Sequence, residues 1–426
     1  MTETSNILIK DTLILSDTFK KASILIVDNK IQEISANLNK GDADKIIDGT
    51  NKITMPGLIN THSHVAMTLL RGVGDDQSLQ TWLNDYIWPR EAKLNEEIVY
   101  VGSKLAMAEM IKTGTTTFND MYFYMEQTAK AVEESGMRSV LGHGMIDLGD
   151  SEKTKSELNT TQKLIKSCHN TANGRVQVAV SPHAPYTCSE DILIESKKLA
   201  DKYNLKLHIH VSETEQEVKD LQKDKKLTPF EYLDSIGVLD ANTIAAHGVW
   251  TTADEMKILK EKKVSISHNP SSNMKLASGV APINEYLKND INVGIGTDGV
   301  SSNNNLDMFS EMKLTALLQK VNLLDPQVLP AQEAFNMATK NGAKALNINA
   351  GVIEENKLAD IILVDTLVPH MTPLRNPLSN IIYSALGNDV NTVICDGKIL
   401  LENKNLTTLN EEEIMEDAKV AALELD

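Results

Sequence analysis

Between residues 56 and 350, short apolar runs alternate with longer segments in which apolar residues return every three or four positions. A short run followed by a helical period, repeated many times, is the pattern of βα units. Eight strands are predicted. The first runs through Leu58 and Ile59 after Pro56 and Gly57, and the others cover 115–119, 139–143, 176–183, 205–210, 244–247, 264–268 and 293–298. Eight parallel strands separated by helices close most naturally into a (β/α)8 TIM barrel, an α/β fold.

The two ends of the chain have a different pattern. Ile7-Leu-Ile-Lys and Ile24-Leu-Ile-Val are short alternating segments broken by polar turns, and strand-like runs return near Ala359 and Thr392. Asp396-Gly397 is a hairpin-turn signal. A small β-sandwich domain built from both termini, residues 1–55 and 351–426, is therefore expected beside a catalytic barrel of 56–350. A length of 426 residues accommodates that division.

The polar residues that close the strands carry the chemistry. His62 and His64 stand two apart at the end of the first strand, so they share a face and can share one cation. Six other runs end in His143, His183, His210, His247, His268 and Asp298, and barrel active sites lie at the C-terminal ends of strands. His62, His64, His210 and Asp298 form a nitrogen and oxygen set suited to one divalent cation, Zn2+ first and Fe2+ as a substitute, with a position left for water. A second cation would need a bridging group on the fourth strand, which ends instead in His183. His208 shares a face with His210 but lies deeper, and is expected to be a core residue. A hard cation lowers the pKa of bound water to about 7. Asp298 could accept that water's proton, and Glu213, three residues beyond His210, could return a proton to substrate at the barrel mouth.

Charge narrows the partners. Lys and Arg total 42 against 59 Asp and Glu, a formal net charge of -17, which opposes a nucleic-acid backbone in the absence of a basic patch. The lysine-rich stretch 219–226 mixes signs and reads as a solvated helix face. Three cysteines, Cys168, Cys188 and Cys395, show neither disulfide nor zinc-knuckle spacing. No apolar run approaches the ~20 residues of a membrane span, and the N-terminus lacks the basic and apolar regions of a signal peptide. A cytoplasmic protein without nucleic-acid or membrane partners is expected.

Met55-Pro-Gly-Leu-Ile-Asn-Thr-His-Ser-His, His210-Val-Ser-Glu213, Ala246-His-Gly and Gly296-Thr-Asp298-Gly resemble the amidohydrolase superfamily over nearly the whole chain, through Gly351-Val-Ile-Glu-Glu-Asn-Lys-Leu-Ala-Asp. Leu70-Arg-Gly, Leu79-Gln-Thr-Trp-Leu and Trp88-Pro-Arg-Glu91 are similar, more narrowly, to the 5'-methylthioadenosine/S-adenosylhomocysteine deaminases and the archaeal 5'-deoxyadenosine deaminases. The resemblance implies that His62, His64, His210 and Asp298 hold the metal, Glu213 protonates adenine N1, His247 orients the attacking water and His183 bonds a ring nitrogen. It further implies that Glu91 receives the ribose hydroxyls, Ser302 reaches N7 and Trp82 forms an apolar wall. The implied reaction is hydrolytic deamination of a small-molecule nucleoside by a homo-oligomer, a dimer or tetramer. Where relatives that handle S-adenosylhomocysteine tend to place an arginine for the amino-acid carboxylate, this chain has His143. Small, uncharged 5' groups are therefore expected to be preferred, unless Lys153 or Lys155 compensates. Deamination or dechlorination of another ring (guanine, cytosine, triazine) is the alternative activity, and a non-catalytic scaffold barrel the alternative class. Segment 72–90 is expected to be either a lid or a long βα loop.

Overall fold

In the computed structural model, residues 6–426 are described except 17–18, 39–40 and 42. The eight barrel strands are β1 (Leu58–His64), β2 (Thr115–Tyr122), β3 (Arg138–Met145), β4 (Val176–Pro182), β5 (Lys206–Val211), β6 (Thr243–His247), β7 (Ser265–His268) and β8, which runs Asn292–Ile295 and resumes at Asp298–Gly299. Each pairs in parallel with the next, and β8 returns to β1 through Ile295 with Asn60 and Asp298 with Ser63. The barrel is closed, as eight parallel strands require. Its lower end is filled by Ile59, Val140, Ala179 and Ile244 packed against Ala343 and Leu346. The helix Lys340–Leu346 supplies the last two and plugs that end.

The interruption of β8 has a local cause. A side chain at Gly296 would lie 2.5 Å from Asn269 Oδ1 and 2.8 Å from the His62 backbone, so only glycine allows β8 to approach β1 there. Beyond it, Asp298 takes φ 64° and is turned into the barrel mouth.

A second sheet, of nine strands, joins the two ends of the chain. Its centre is Lys52–Pro56, paired antiparallel with Ile361–Asp365 on one side and parallel with Ile7–Leu15 on the other. The sheet doubles over until Ile31 N donates to Lys357 O at 3.0 Å and Asn356 N donates to Ile31 O at 2.8 Å. Ile7, Ile9, Ile24, Ile26, Ile361, Leu363 and Ile394 fill the space between the layers. The hairpin Val390–Cys395 to Lys398–Glu402 turns at Asp396 and Gly397, with φ 51° and 75°, the left-handed pair of a type I′ turn. The final helix, Glu411–Leu425, flanks the barrel instead, where Lys112 Nζ of the barrel helix Glu96–Lys112 lies 2.6 Å from Glu411. The three cysteines are free and buried. Among the described residues, no helix is long and apolar enough to cross a membrane.

Candidate active site

Three strand ends, those of β1, β5 and β8, deliver four donors to one point at the barrel mouth. His64 Nδ1 donates to Met121 O at 2.5 Å, and His210 Nδ1 donates to His183 O at 2.7 Å. A carbonyl only accepts, so Nδ1 carries a proton in both rings, and it is Nε2 that presents a lone pair once that nitrogen is unprotonated. His62 Nδ1 lies 2.8 Å from His208 Nε2. Its own Nε2 is buried and has no hydrogen-bond partner among the described residues. His62 Nε2 and His64 Nε2 each lie 3.3 Å from Asp298 Oδ1, and His210 Nε2 lies 3.3 Å from His64 Nε2. Bonds of about 2.0–2.1 Å to one zinc put neighbouring donors roughly 2.9–3.4 Å apart, whether the cation holds four ligands or takes water as a fifth. The three separations are those of neighbouring donors on one cation, and His62 belongs to both compact donor groups, one with His64 and His210 and one with His247 and Asp298.

Asp298 and His247 both have positive φ, 64° and 75°, without being glycine. Such strain persists only where surrounding contacts enforce it. Asp298 Oδ2 accepts from Ser272 Oγ at 2.7 Å and Oδ1 from Gly299 N at 2.7 Å. Burial pushes the Asp298 carboxyl up, but the His62 and His64 imidazoles beside Oδ1 outweigh it and hold the group well below its ordinary value. His247 Nε2 sits between two carboxylates, 3.8 Å from Glu213 Oε2 and 3.9 Å from Asp298 Oδ2, while its Nδ1 faces Asn273 Oδ1 at 3.0 Å. Burial raises the Glu213 carboxyl, and the nearby His247 only partly offsets it.

These groups open into a cleft of about 750 Å3, its outer part exposed to solvent. Trp82, Leu83, Ile87, Trp88 and Glu91 close one side of it. They come from a helical stretch whose middle turn, Trp82–Ile87, is π-helical. Segment 72–90 is therefore a wall of the cleft, tied at its base by Asp75 and Lys275 at 2.6 Å.

A family model for amidohydrolases matches residues 53–400. The chain belongs to the amidohydrolase family. It is 76% identical over 425 residues to a 5'-deoxyadenosine deaminase of Methanosphaera stadtmanae, with both chains covered in full. It is 51% identical to a 5-methylthioadenosine/S-adenosylhomocysteine deaminase of Thermococcus sibiricus, over 93% of this chain and 94% of that one. Among solved structures, a zinc-bound adenosine deaminase from Xanthomonas campestris is similar with a TM-score of 0.93 at 32% identity, over 99% of this chain and 98% of that one. Amidohydrolases are metal-dependent hydrolases, and the His and Asp cluster is where this one can hold a metal.

Of the residues singled out in the amidohydrolase sequence, Trp82, Glu91, His183 and Ser302 line the cleft with His64, His210, Asp298, Glu213 and His247, while His62 is fully buried. Burial lowers His183 to about 3, so its ring is neutral, and its Nδ1 lies 2.8 Å from Thr187 Oγ1. Glu91 Oε1 accepts from Tyr122 OH at 2.8 Å, and burial raises its carboxyl. Ser302 Oγ donates to Gly299 O at 3.1 Å and lies 3.0 Å from Ser272 Oγ. His143 is not brought to the cleft. Its Nε2 lies 2.6 Å from Glu157 Oε2, in a neighbouring chamber that shares Glu91 and Phe123 as walls. Lys155 pairs with Glu152 at the exposed face of helix Ser151–Cys168, and Lys153 is exposed on the same helix. His268 is buried outside the cleft.

Tyr122, Ser272 and Asn273 are not found from the sequence, whereas His208 is the buried core residue expected there, with His62 as its partner. Period-two alternation back from His210 was the available signal for His208. Tyr122 lies at the true end of β2, three residues past the run that had been read as the strand. Ser272 and Asn273 sit on the short helix Pro270–Lys275 after β7, where no spacing marks them.

Proposed function

We propose that this amidohydrolase hydrolyses the 6-amino group of the adenine ring in 5'-modified adenosines, 5'-deoxyadenosine first, with 5'-methylthioadenosine, S-adenosylhomocysteine and adenosine as further substrates. Relatives that match along the whole chain carry those activities in their names. The observation that carries the reading is the placement of His247 between Glu213 and Asp298, within 3.9 Å of both, beside four cation donors. That arrangement puts a proton donor and a proton acceptor on either side of one water site.

Zn2+ held by His62, His64, His210 and Asp298 would supply the acidity that makes water a nucleophile at neutral pH. Every other role falls to side chains. His247 orients the water toward C6. Glu213, whose carboxyl burial raises, is the proton donor to N1. Asp298 Oδ2, steadied by Ser272, takes the proton that water loses and passes it to the departing amine. Water adds to C6, the C6–N6 bond breaks as Asp298 protonates the amine, the remaining C6 hydroxyl proton returns to Glu213, and an inosine-type nucleoside and ammonia leave. His183 bonds a ring nitrogen and Ser302 faces N7, while Trp82 gives the base an apolar wall. Glu91, with one oxygen fixed by Tyr122, receives the ribose hydroxyls. Glu213→Gln is the test. The variant should retain its metal and lose about 100- to 10,000-fold in kcat, and a near-normal rate would remove Glu213 from the proton path.

A further inference from the structure

Among the described residues, three helices are capped by a threonine with a glutamate three residues later. Two of them behave as capping boxes do. Glu231 accepts from the backbone N–H of its cap Thr228 at 2.9 Å, and Glu255 accepts from that of Thr252 at 2.8 Å. The third is displaced. Thr214 caps the helix Glu215–Lys225, yet the carboxylate of Glu217 reaches past Thr214 to the two residues before it. Oε2 accepts from Glu213 N at 2.8 Å and Oε1 from Ser212 N at 2.9 Å. Both oxygens are therefore spent on the backbone that carries the proton donor.

The same peptide is held from its other side. Ser212 has φ 55°, a left-handed conformation that a serine adopts only when its surroundings impose it. Its carbonyl accepts from Val249 N at 2.9 Å and Trp250 N at 3.0 Å, and Gly248 N donates to Val211 O at 3.0 Å. Those amides follow His247 directly. Glu217, Ser212 and the 248–250 turn thus form one connected set, with Glu213 at one end and His247 at the other.

We infer that Glu217 is a positioning residue for the deamination: by clamping the Ser212 and Glu213 amides, it fixes the Glu213 carboxyl against His247 and the water site. The inference rests on the role of Glu213 proposed above. A helix that needed only a cap would have its glutamate on Thr214 N, as the other two do. A clamp on the amide of the proton donor itself serves the donor, since a misplacement of about 1 Å at a reacting group can cost on the order of 100-fold in rate.

A double-mutant cycle on the metal-loaded full chain tests it, with Glu217→Gln, Glu213→Gln and the pair assayed on 5'-deoxyadenosine and metal content measured for each. The glutamine amide keeps the volume but offers one acceptor in place of two. Glu217→Gln is expected to lower kcat about 10- to 100-fold with KM within threefold and the metal retained. In the Glu213→Gln background the same change should lower the residual kcat less than threefold, because residues acting as one unit are not additive. An equal loss in both backgrounds, or loss of metal together with a raised KM, would make Glu217 a structural cap and overturn the inference. If Glu217→Gln fails to fold, Glu217→Asp, which keeps the charge and reaches one amide, must show the same non-additivity. A near-normal rate for Glu213→Gln alone would instead overturn the proposed role of Glu213, which separates the two failures.

Discussion

His62 Nδ1 and His208 Nε2 lie 2.8 Å apart between two fully buried rings. The contact decides which nitrogen of His62 faces the cleft. Burial holds His208 well below its ordinary value, so it stays neutral, and its Nε2 can accept the His62 Nδ1 proton. The bare Nε2 of His62 is then left for a cation. His208→Ala is expected to weaken zinc binding about 10- to 100-fold, the usual effect of removing a partner that orients a ligating imidazole. His208→Gln, which keeps an acceptor, should lose less. Competition with a zinc indicator measures both, and unchanged affinity in the alanine variant would contradict the arrangement.

Proton and cation compete for His64. Burial alone would lower this histidine, but its hydrogen bond to Asp298 and that carboxylate's charge lift it to about 9. At pH 7 the metal-free site therefore carries a proton that the cation must displace. Raising the pH from 7 to 9 strips it, so apparent zinc affinity should climb about tenfold per pH unit and level off above about 9. His62, lowered to about 4 mainly by burial, adds nothing in that window. The raised value also stabilises the metal-free fold below the ordinary value of 6.5, a gain lost as pH rises through about 9. Titration calorimetry in two buffers at pH 7 should detect close to one proton released per site, and affinity flat from pH 7 to 9 would refute the competition.

Arg138 opens β3 at the lower end of the barrel and reaches into the terminal sheet. Its Nε lies 3.0 Å from Asp360 Oδ2 and its Nη2 2.8 Å from Asp396 Oδ1, with the Arg138 side chain 8% exposed. Removing one member of a buried ion network leaves the others uncompensated, so Arg138→Met should cost about 3–5 kcal/mol. Urea unfolding would measure it, and a change below about 1 kcal/mol would show that the network contributes little.

His143 bears on the 5' group in a different way from the simple absence of an arginine. Its ring is engaged by Glu157 at 2.6 Å, and Phe123 stands between it and the cleft. An arginine placed there would meet the same carboxylate. His143→Arg alone should therefore leave kcat/KM for S-adenosylhomocysteine within about threefold, while His143→Arg with Glu157→Gln should raise it, the guanidinium then being free for a carboxylate. A large gain from the single change would show that Glu157 does not hold the group.

The eight strands were legible because each is one apolar run between polar segments, and the terminal sheet because its segments alternate and turn at Asp396-Gly397. The donors at strand ends were legible for the same reason. Position at a strand end does not by itself give direction, and His143 shows the difference. Along β3 the cleft side falls on Gly144, and Gly142 faces Ser181 across the strands, so the odd-numbered His143 points out toward helix Ser151–Cys168. Likewise Ser267, whose Oγ lies 2.6 Å from Thr61 Oγ1, marks the inward phase of β7 and puts His268 on the other face. Alternation counted from those neighbours would have separated the two from the site residues. The role of His208 depends on His62, 146 positions away, and emerges only when the barrel closes. Glu217 has capping-box spacing, and only its geometry shows that it reaches beyond the cap.

The central claim is a metal-dependent deamination of adenine nucleosides in the barrel cleft. The most direct test is loss of the adenine chromophore of 5'-deoxyadenosine, followed on protein whose metal has been quantified, before and after removal and restoration of zinc. Adenosine, S-adenosylhomocysteine and free adenine would be run beside it. The account predicts turnover of the nucleosides that disappears with the metal and returns with it, 5'-deoxyadenosine ahead of S-adenosylhomocysteine. Silence on every nucleoside by metal-loaded protein that hydrolyses guanine or a triazine would contradict it.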